Sequence, residues 1–102
     1  MNKEGFLLLF YDLNNVKSEK EKRDFRVKVV GNGFIKMQES VYYKYYKNIS
    51  LSTYTIKKLA KIANKNFDIK FIHLTLKQFM RMNKYSVTKE DVSDIISDIV
   101  IY

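Results

Sequence analysis

Apolar and polar positions fall in blocks along this chain, and the length and period of each block point to an element. The stretch FLLLFYDL, Phe6 to Leu13, is apolar on both alternations. In a strand, Phe6, Leu8 and Phe10 point one way and Leu7, Leu9 and Tyr11 the other. A strand apolar on both sides expects cover on both. A lone carboxylate, Asp12, breaks the run at its end. Ser18 and Glu21 then give the S-x-x-E signature of a helix start. This predicts a helix from Glu19 to Val30 with Phe25 and Val29 buried, stopped by Gly31-Asn32-Gly33, where glycine takes the left-handed conformation cheaply.

The next block, FIKMQESVYYKYY, is rich in β-branched and aromatic residues and reads as two short strands broken between Gln38 and Ser40. After Ser52, Ile56, Leu59, Ala60 and Ala63 fall at i, i+3, i+4 and i+7, one apolar helical stripe, with Lys57, Lys58, Lys61 and Lys65 over much of the rest. Asp68 to Thr75 reads as a strand in which Ile69, Phe71 and His73 alternate with Lys70, Ile72 and Leu74. Lys77 to Met82 reads as a helical turn. Asn83 to Ser97 is polar, with a short helix after Thr88, and DIVIY, residues 98–102, as a last strand. The expected fold is therefore α+β: a single ferredoxin-like βαββαβ domain over residues 1–102, with an extra C-terminal strand. Its two helices cover one face of the sheet. A second copy is expected on the other face, in a face-to-face homodimer, since isologous dimers are the commonest assembly. Residues 98–102 are then available to pair with the partner subunit.

Composition narrows the chemistry. The chain has no cysteine and one histidine, which excludes disulfides, thiolate sites and histidine clusters. Any metal is left to oxygen ligands, mainly carboxylates. Nineteen Lys and Arg against eleven Asp and Glu give a net charge of +8. That favours a polyanionic partner, nucleic acid first and an anionic membrane surface second. AT-rich coding also enriches Lys, Asn, Ile and Tyr, so charge alone does not decide. The longest apolar run, Phe6 to Tyr11, is far too short to span a bilayer. The first residues lack the apolar region and cleavage site of a signal peptide. A cytoplasmic protein without membrane association is expected.

Four stretches together resemble a known family. LLLFYDL is similar to the first strand, and its closing metal-binding aspartate, of CRISPR-associated protein two, the smaller core protein of spacer acquisition. GFIKMQESVYY is similar to that family's glycine, aromatic, basic, glutamine, serine, valine, aromatic pattern. IHLTLKQFMRM resembles the strand and turn of members that accompany the single-protein effector nuclease, and SDIVIY resembles the terminal strand. The resemblance covers nearly the whole chain in order. It implies a ferredoxin-like homodimer that binds duplex DNA and bridges dimers of CRISPR-associated protein one, the integrase. It also implies a metal-dependent endonuclease capacity on RNA or DNA. Residue by residue, Asp12 falls on the family aspartate and Tyr11 on the aromatic before it. Gln38, Ser40 and Val41 match directly, and Tyr42 falls on an aromatic position. Lys36 stands where many relatives have arginine, and lysine lacks arginine's bidentate phosphate contact. Lys22, Arg23 and Arg26 are approximate equivalents of the family's basic helix residues.

On this reading Asp12 sits near the dimer two-fold, and two such carboxylates hold one Mg²⁺, which accepts few protein ligands and keeps several waters. The plainer alternative for an aspartate at a strand end is a turn former, and LNN follows it. His73, among Ile69 and Phe71, reads as a core or interface histidine. The tyrosines at 42, 43, 45 and 46 alternate between faces and read as packing residues, as do Met37, Met80 and Met82. The basic residues of the first helix read as contacts to backbone phosphates without base readout. Three functions compete at this point: a DNA-binding adaptor of spacer integration, a stand-alone Mg²⁺-dependent toxin-like endoribonuclease on the same fold, and an RNA-binding module. The last lacks the basic-aromatic signatures of its central strands.

Overall fold

β1 (Gly5–Asp12) is the backbone of the molecule, because strands pair with it on both sides. The computed structural model describes residues 3–63, 66–85 and 99–101. After β1 come α1 (Glu19–Gly31), β2 (Ile35–Gln38), β3 (Val41–Tyr46), a 3₁₀ turn (Ile49–Leu51), α2 (Ser52–Ile62), β4 (Asp68–Thr75) and α3 (Leu76–Met80). The four strands form one antiparallel sheet in the order β2-β3-β1-β4. This is the ferredoxin-like α+β arrangement expected from the element order.

The register divides the side chains into two faces. Leu7 lies beside Lys44 and His73, and Leu9 beside Tyr42 and Phe71. These residues share the face covered by α1 and α2. There Leu7, Leu9, Val29 and Leu59 are fully buried, with Tyr11, Phe25, Phe34, Tyr42 and Tyr46 around them. Phe6, Leu8, Phe10 and Asp12 point to the opposite face, with Tyr43 and Tyr45 from β3 and Lys70, Ile72 and Leu74 from β4. α3 folds back over one end of that face, and Phe79 stacks on Phe6 with ring centroids 3.7 Å apart. Elsewhere on that face Leu8 is buried, while Phe10, Ile35, Tyr45 and Ile72 are left exposed by the described residues. β1 approaches β4 so closely that a Cβ at Gly5 would meet the Leu74 carbonyl oxygen at 2.8 Å, so only glycine begins this strand without spreading the sheet.

Local chemistry sets the boundaries. Ser18 Oγ accepts from the Glu21 amide and starts α1 at the expected residue. The helix runs through Gly31. Asn32 caps it with its side-chain amide on the Lys28 carbonyl, and Gly33 takes the left-handed backbone, φ 91°. Thr75 and Gln78 form a reciprocal capping box at α3.

α2 is rotated from its expected stripe. Ser52, Thr55 and Leu59 face inward, Ile56 is half-buried and Ala60 is exposed. The two hydroxyls are tolerated inside because each is satisfied. Thr55 Oγ1 accepts from the Tyr46 hydroxyl at 2.5 Å, and Ser52 Oγ lies 2.7 Å from His73 Nε2. His73, expected in a core or an interface, is exposed in this chain and pinned to the start of α2. Met80, expected to pack, is half-exposed.

Two further strands form a separate pair, β5 (Asn83–Tyr85) with β6 (Ile99–Ile101), antiparallel. β5 falls in a stretch read from the sequence as merely polar. β6 is the expected terminal strand, paired here with its own chain. The short helix expected after Thr88 lies outside the described residues.

Candidate functional site at the Asp12 end of the sheet

Asp12 closes β1 on the open face and is exposed. Its Oδ1 accepts from the Asn14 amide at 2.9 Å, the local turn that a strand-end aspartate favours. Its other oxygen has no hydrogen bond among the described residues. Directly across the ladder stands Asp68, the first residue of β4. Like charges facing across a strand pair repel, and here a cation answers them: Lys70 Nζ lies 2.7 Å from Asp68 Oδ1. Phe10, Tyr11, Asp12, Asp68 and Lys70 line one shallow recess. Asp68 and Lys70 were not legible as site residues in the sequence. The signal was present in DIK, because residues two apart on a strand share a face. The start of β4 meets the end of β1 in an antiparallel pair.

The neighbouring residues gather behind Asp12 on the helix side. The Tyr11 amide donates to the Ser40 carbonyl at 3.1 Å, so the β2–β3 turn is tied to the end of β1. Ser40 holds a left-handed backbone there, φ 67°, a conformation that is unfavourable for a residue with a Cβ. The Tyr11 ring stacks on Tyr42 (centroids 5.8 Å) and meets Phe25 edge-on (5.4 Å). Gln38 is exposed beside Val41 at the same turn.

Burial, and then the hydrogen bond with Tyr11, push the Tyr42 hydroxyl up to about 12, with the Arg26 charge pulling the other way. The folded state therefore keeps its proton after the unfolded chain, titrating near pH 10, has lost it. Stability is complete below pH 10 and falls as pH rises from 10 towards 12, by about 2–3 kcal/mol at most. Denaturant titrations across that range should show the fall in parent protein and a smaller one in Tyr42→Phe.

The candidate cations divide. Lys36 pairs with Tyr42 across β2 and β3, which puts it on the side of the sheet opposite Asp12, and its amine meets Glu39 at 3.1 Å. Lys22 is mostly covered and bound to Glu19 at 3.3 Å. Arg23 and Arg26 are exposed on α1, in no ion pair among the described residues. Tyr11, Ser40, Tyr42 and Arg26 thus lie on the helix side behind the end of β1, and the sheet separates both Arg26 and Lys36 from the Asp12 carboxylate.

Among the described residues no three His, Cys, Asp or Glu side chains come together to hold a metal ion. One protomer offers Asp12, with Asp68 beside it already engaged by Lys70. That donor set fits Mg²⁺, which is content with one or two carboxylates and retains its waters. It does not suit an ion that demands a full protein cage.

The family model for CRISPR associated protein Cas2 matches residues 5–82. The chain belongs to the Cas2 family. The match runs from the first residue of β1 to the residue before β5, and so takes in the whole four-stranded sheet and its helices. No curated protein matches the chain. Membership of the Cas2 family gives the chain a role in CRISPR adaptation and partners within the CRISPR system. The family is generally associated with nuclease activity. No helix among the described residues is long and apolar enough to cross a membrane.

Proposed function

We propose that this protein works in CRISPR adaptation as a homodimer that binds duplex DNA and bridges dimers of the CRISPR integrase. A Mg²⁺-dependent capacity to cut a phosphodiester in RNA or DNA is secondary and centred on Asp12. The observation that carries the reading is the open sheet face in a chain of this family. Phe10, Ile35, Tyr45 and Ile72 are 39–55% exposed there, a contiguous apolar surface of the kind that marks an interaction site. A second copy laid on that face brings its own Asp12 towards the first. β6 has a second backbone edge that can serve the partner.

The phosphate contacts fall to Arg23 and Arg26, which are exposed and make no ion pair among the described residues, with Lys36 and the mostly covered Lys22 as further contributors. At the other site, Mg²⁺ when bound supplies an activated water and neutralises charge on the scissile phosphate. Asp12 provides the carboxylate that holds it. The turn from Asp12 to Asn14 fixes the direction of that carboxylate, and Tyr11, wedged between Phe25 and Tyr42, fixes the strand end that carries it.

The test is a salt titration of duplex binding by the dimer, together with retention of duplex DNA when protein and integrase are purified together. Binding should weaken steeply with salt, because each phosphate neutralised releases counterions. Replacing both Arg23 and Arg26 with Gln should lower the slope of log K against log salt by about one per lost contact. A parent protein whose binding is flat in salt, or an integrase that retains duplex equally well without it, would overturn the proposal.

A further inference from the structure

We propose that Lys70 is the cation that meets a substrate phosphate at the Asp12 end of the sheet, held over the site by Asp68. The inference rests on the duplex-binding reading above and adds to it a residue that the family pattern and the basic helix do not supply.

Three observations carry it. The first is placement. Lys70 sits opposite Phe10 in the ladder, and Asp68 opposite Asp12. By strand alternation Lys70 therefore shares the open face with Asp12 and lines the same recess. Lys36, the cation the sequence pattern puts forward, is on the other side of the sheet.

The second is restraint. A free lysine on a surface strand wanders over several rotamers, but the Lys70 amine is held 2.7 Å from Asp68 Oδ1. An ammonium has three donors. One is spent on Asp68, and two remain for phosphate oxygens. The side chain is 72% exposed and its partner 59% exposed, so the amine is pre-aimed without being shut away. An exposed pair of this kind is weak in water, so Asp68 biases the amine towards the recess and leaves it free to move onto a phosphate.

The third is electrostatic need. Asp12 and Asp68 put two carboxylates at adjoining strand ends, and a dimer joined through the open face brings a second such pair nearby. A polyanionic backbone does not approach that many negative charges without a cation among them. Lys70 is the positive residue in this recess. Arg23 and Arg26 lie on α1, on the helix-covered side of the sheet, where they serve a different stretch of backbone.

The experiment compares Lys70→Gln, Lys70→Arg and Lys36→Gln in the full-length protein. Binding to a duplex DNA probe is titrated against salt at concentrations where every variant is a dimer by sedimentation. Lys70→Gln should flatten the slope of log K against log salt by about 0.9 for each Lys70 in contact, and so by up to about 1.8 for a dimer using both. Affinity at fixed salt should fall about three- to tenfold. Lys70→Arg should restore the slope, which a merely structural role for the Asp68 pair would not require. Lys36→Gln should change the slope by less than Lys70→Gln does.

A parent-like slope in Lys70→Gln overturns the proposal while leaving the duplex-binding reading intact, because the parent's own slope reports on that reading separately. A slope lost only with a single-stranded RNA probe, and kept with the duplex, overturns the assignment to duplex DNA.

Discussion

Replacing Phe10 with glutamate should turn the proposed dimer into a folded monomer. Phe10 lies on the open face, 39% exposed in the single chain, with Ile72 at 47% on the adjacent β4 and Ile35 at 55% on β2 beyond β3. In the isolated protomer a carboxylate at this place still reaches water, so the core of Leu7, Leu9, Val29 and Leu59 on the other side of the sheet is undisturbed. In a face-to-face pair the substitution instead puts one desolvated carboxylate from each chain near the two-fold, where its ladder neighbour Lys70 is already committed to Asp68. An unpaired charge buried this way costs several kcal/mol, and each 1.4 kcal/mol is a factor of ten in an equilibrium constant. The dimer dissociation constant should therefore rise by about a hundredfold or more, read by sedimentation, with an unchanged circular dichroism spectrum. Duplex binding should weaken with it, because the cations of two chains no longer act on one molecule. A Phe10→Glu protein that stays dimeric at the parent's affinity would place the interface elsewhere on the molecule.

Asp12→Asn should separate cleavage from both fold and DNA binding. Asparagine keeps the side-chain oxygen that accepts from the Asn14 amide, so the turn is preserved. It also removes one of two facing carboxylates, since Asp12 is the ladder partner of Asp68, and relieving that repulsion should leave stability equal or up to about 1 kcal/mol higher. Metal-dependent cleavage should meanwhile fall by about a hundredfold or more, the scale of removing one preorganised electrostatic group from a reaction centre. Duplex binding should hold or tighten. Equal cleavage by parent and variant would mean that Asp12 does not hold the metal, and that any cutting arises at another site. A purified dimer that turns over RNA in an Asp12-dependent way, yet neither retains duplex DNA nor joins the integrase, would favour the stand-alone endoribonuclease.

The two-sided apolarity of β1 was legible because alternation is a property of one strand; it pointed to the helix-covered core on one side and to a second apolar face that expects cover from a partner. The start of α1 was legible for the same local reason, in Ser18 and Glu21. The buried face of α2 is turned from the expected stripe by about a sixth of a turn, with Leu59 common to both. Ser52 and Thr55 look like surface residues until His73 and Tyr46, 21 and 9 residues further along or back in the chain, bring their partners. The site divided similarly. Asp12 could be picked out because it breaks an apolar run. That Lys36 faces away from it is decided by the pairing of β3 with β2 and β1, and that Asp68 and Lys70 face with it by pairing between strands more than fifty residues apart, neither of which a single segment encodes. β5 escaped notice because Asn83, Lys84 and Tyr85 are too few, and two of them too polar, to show a period.

The sheet is also a partition. It leaves Asp12 on one surface and the arginines of α1 over the other, so a change in either need not pass through the packing that supports its counterpart. A lineage of such proteins is then free to let the carboxylate drift while its grip on nucleic acid persists, or to trade surface cations while the acid endures. Loss of cutting among relatives would, on this layout, be no sign of decay in the architecture as a whole.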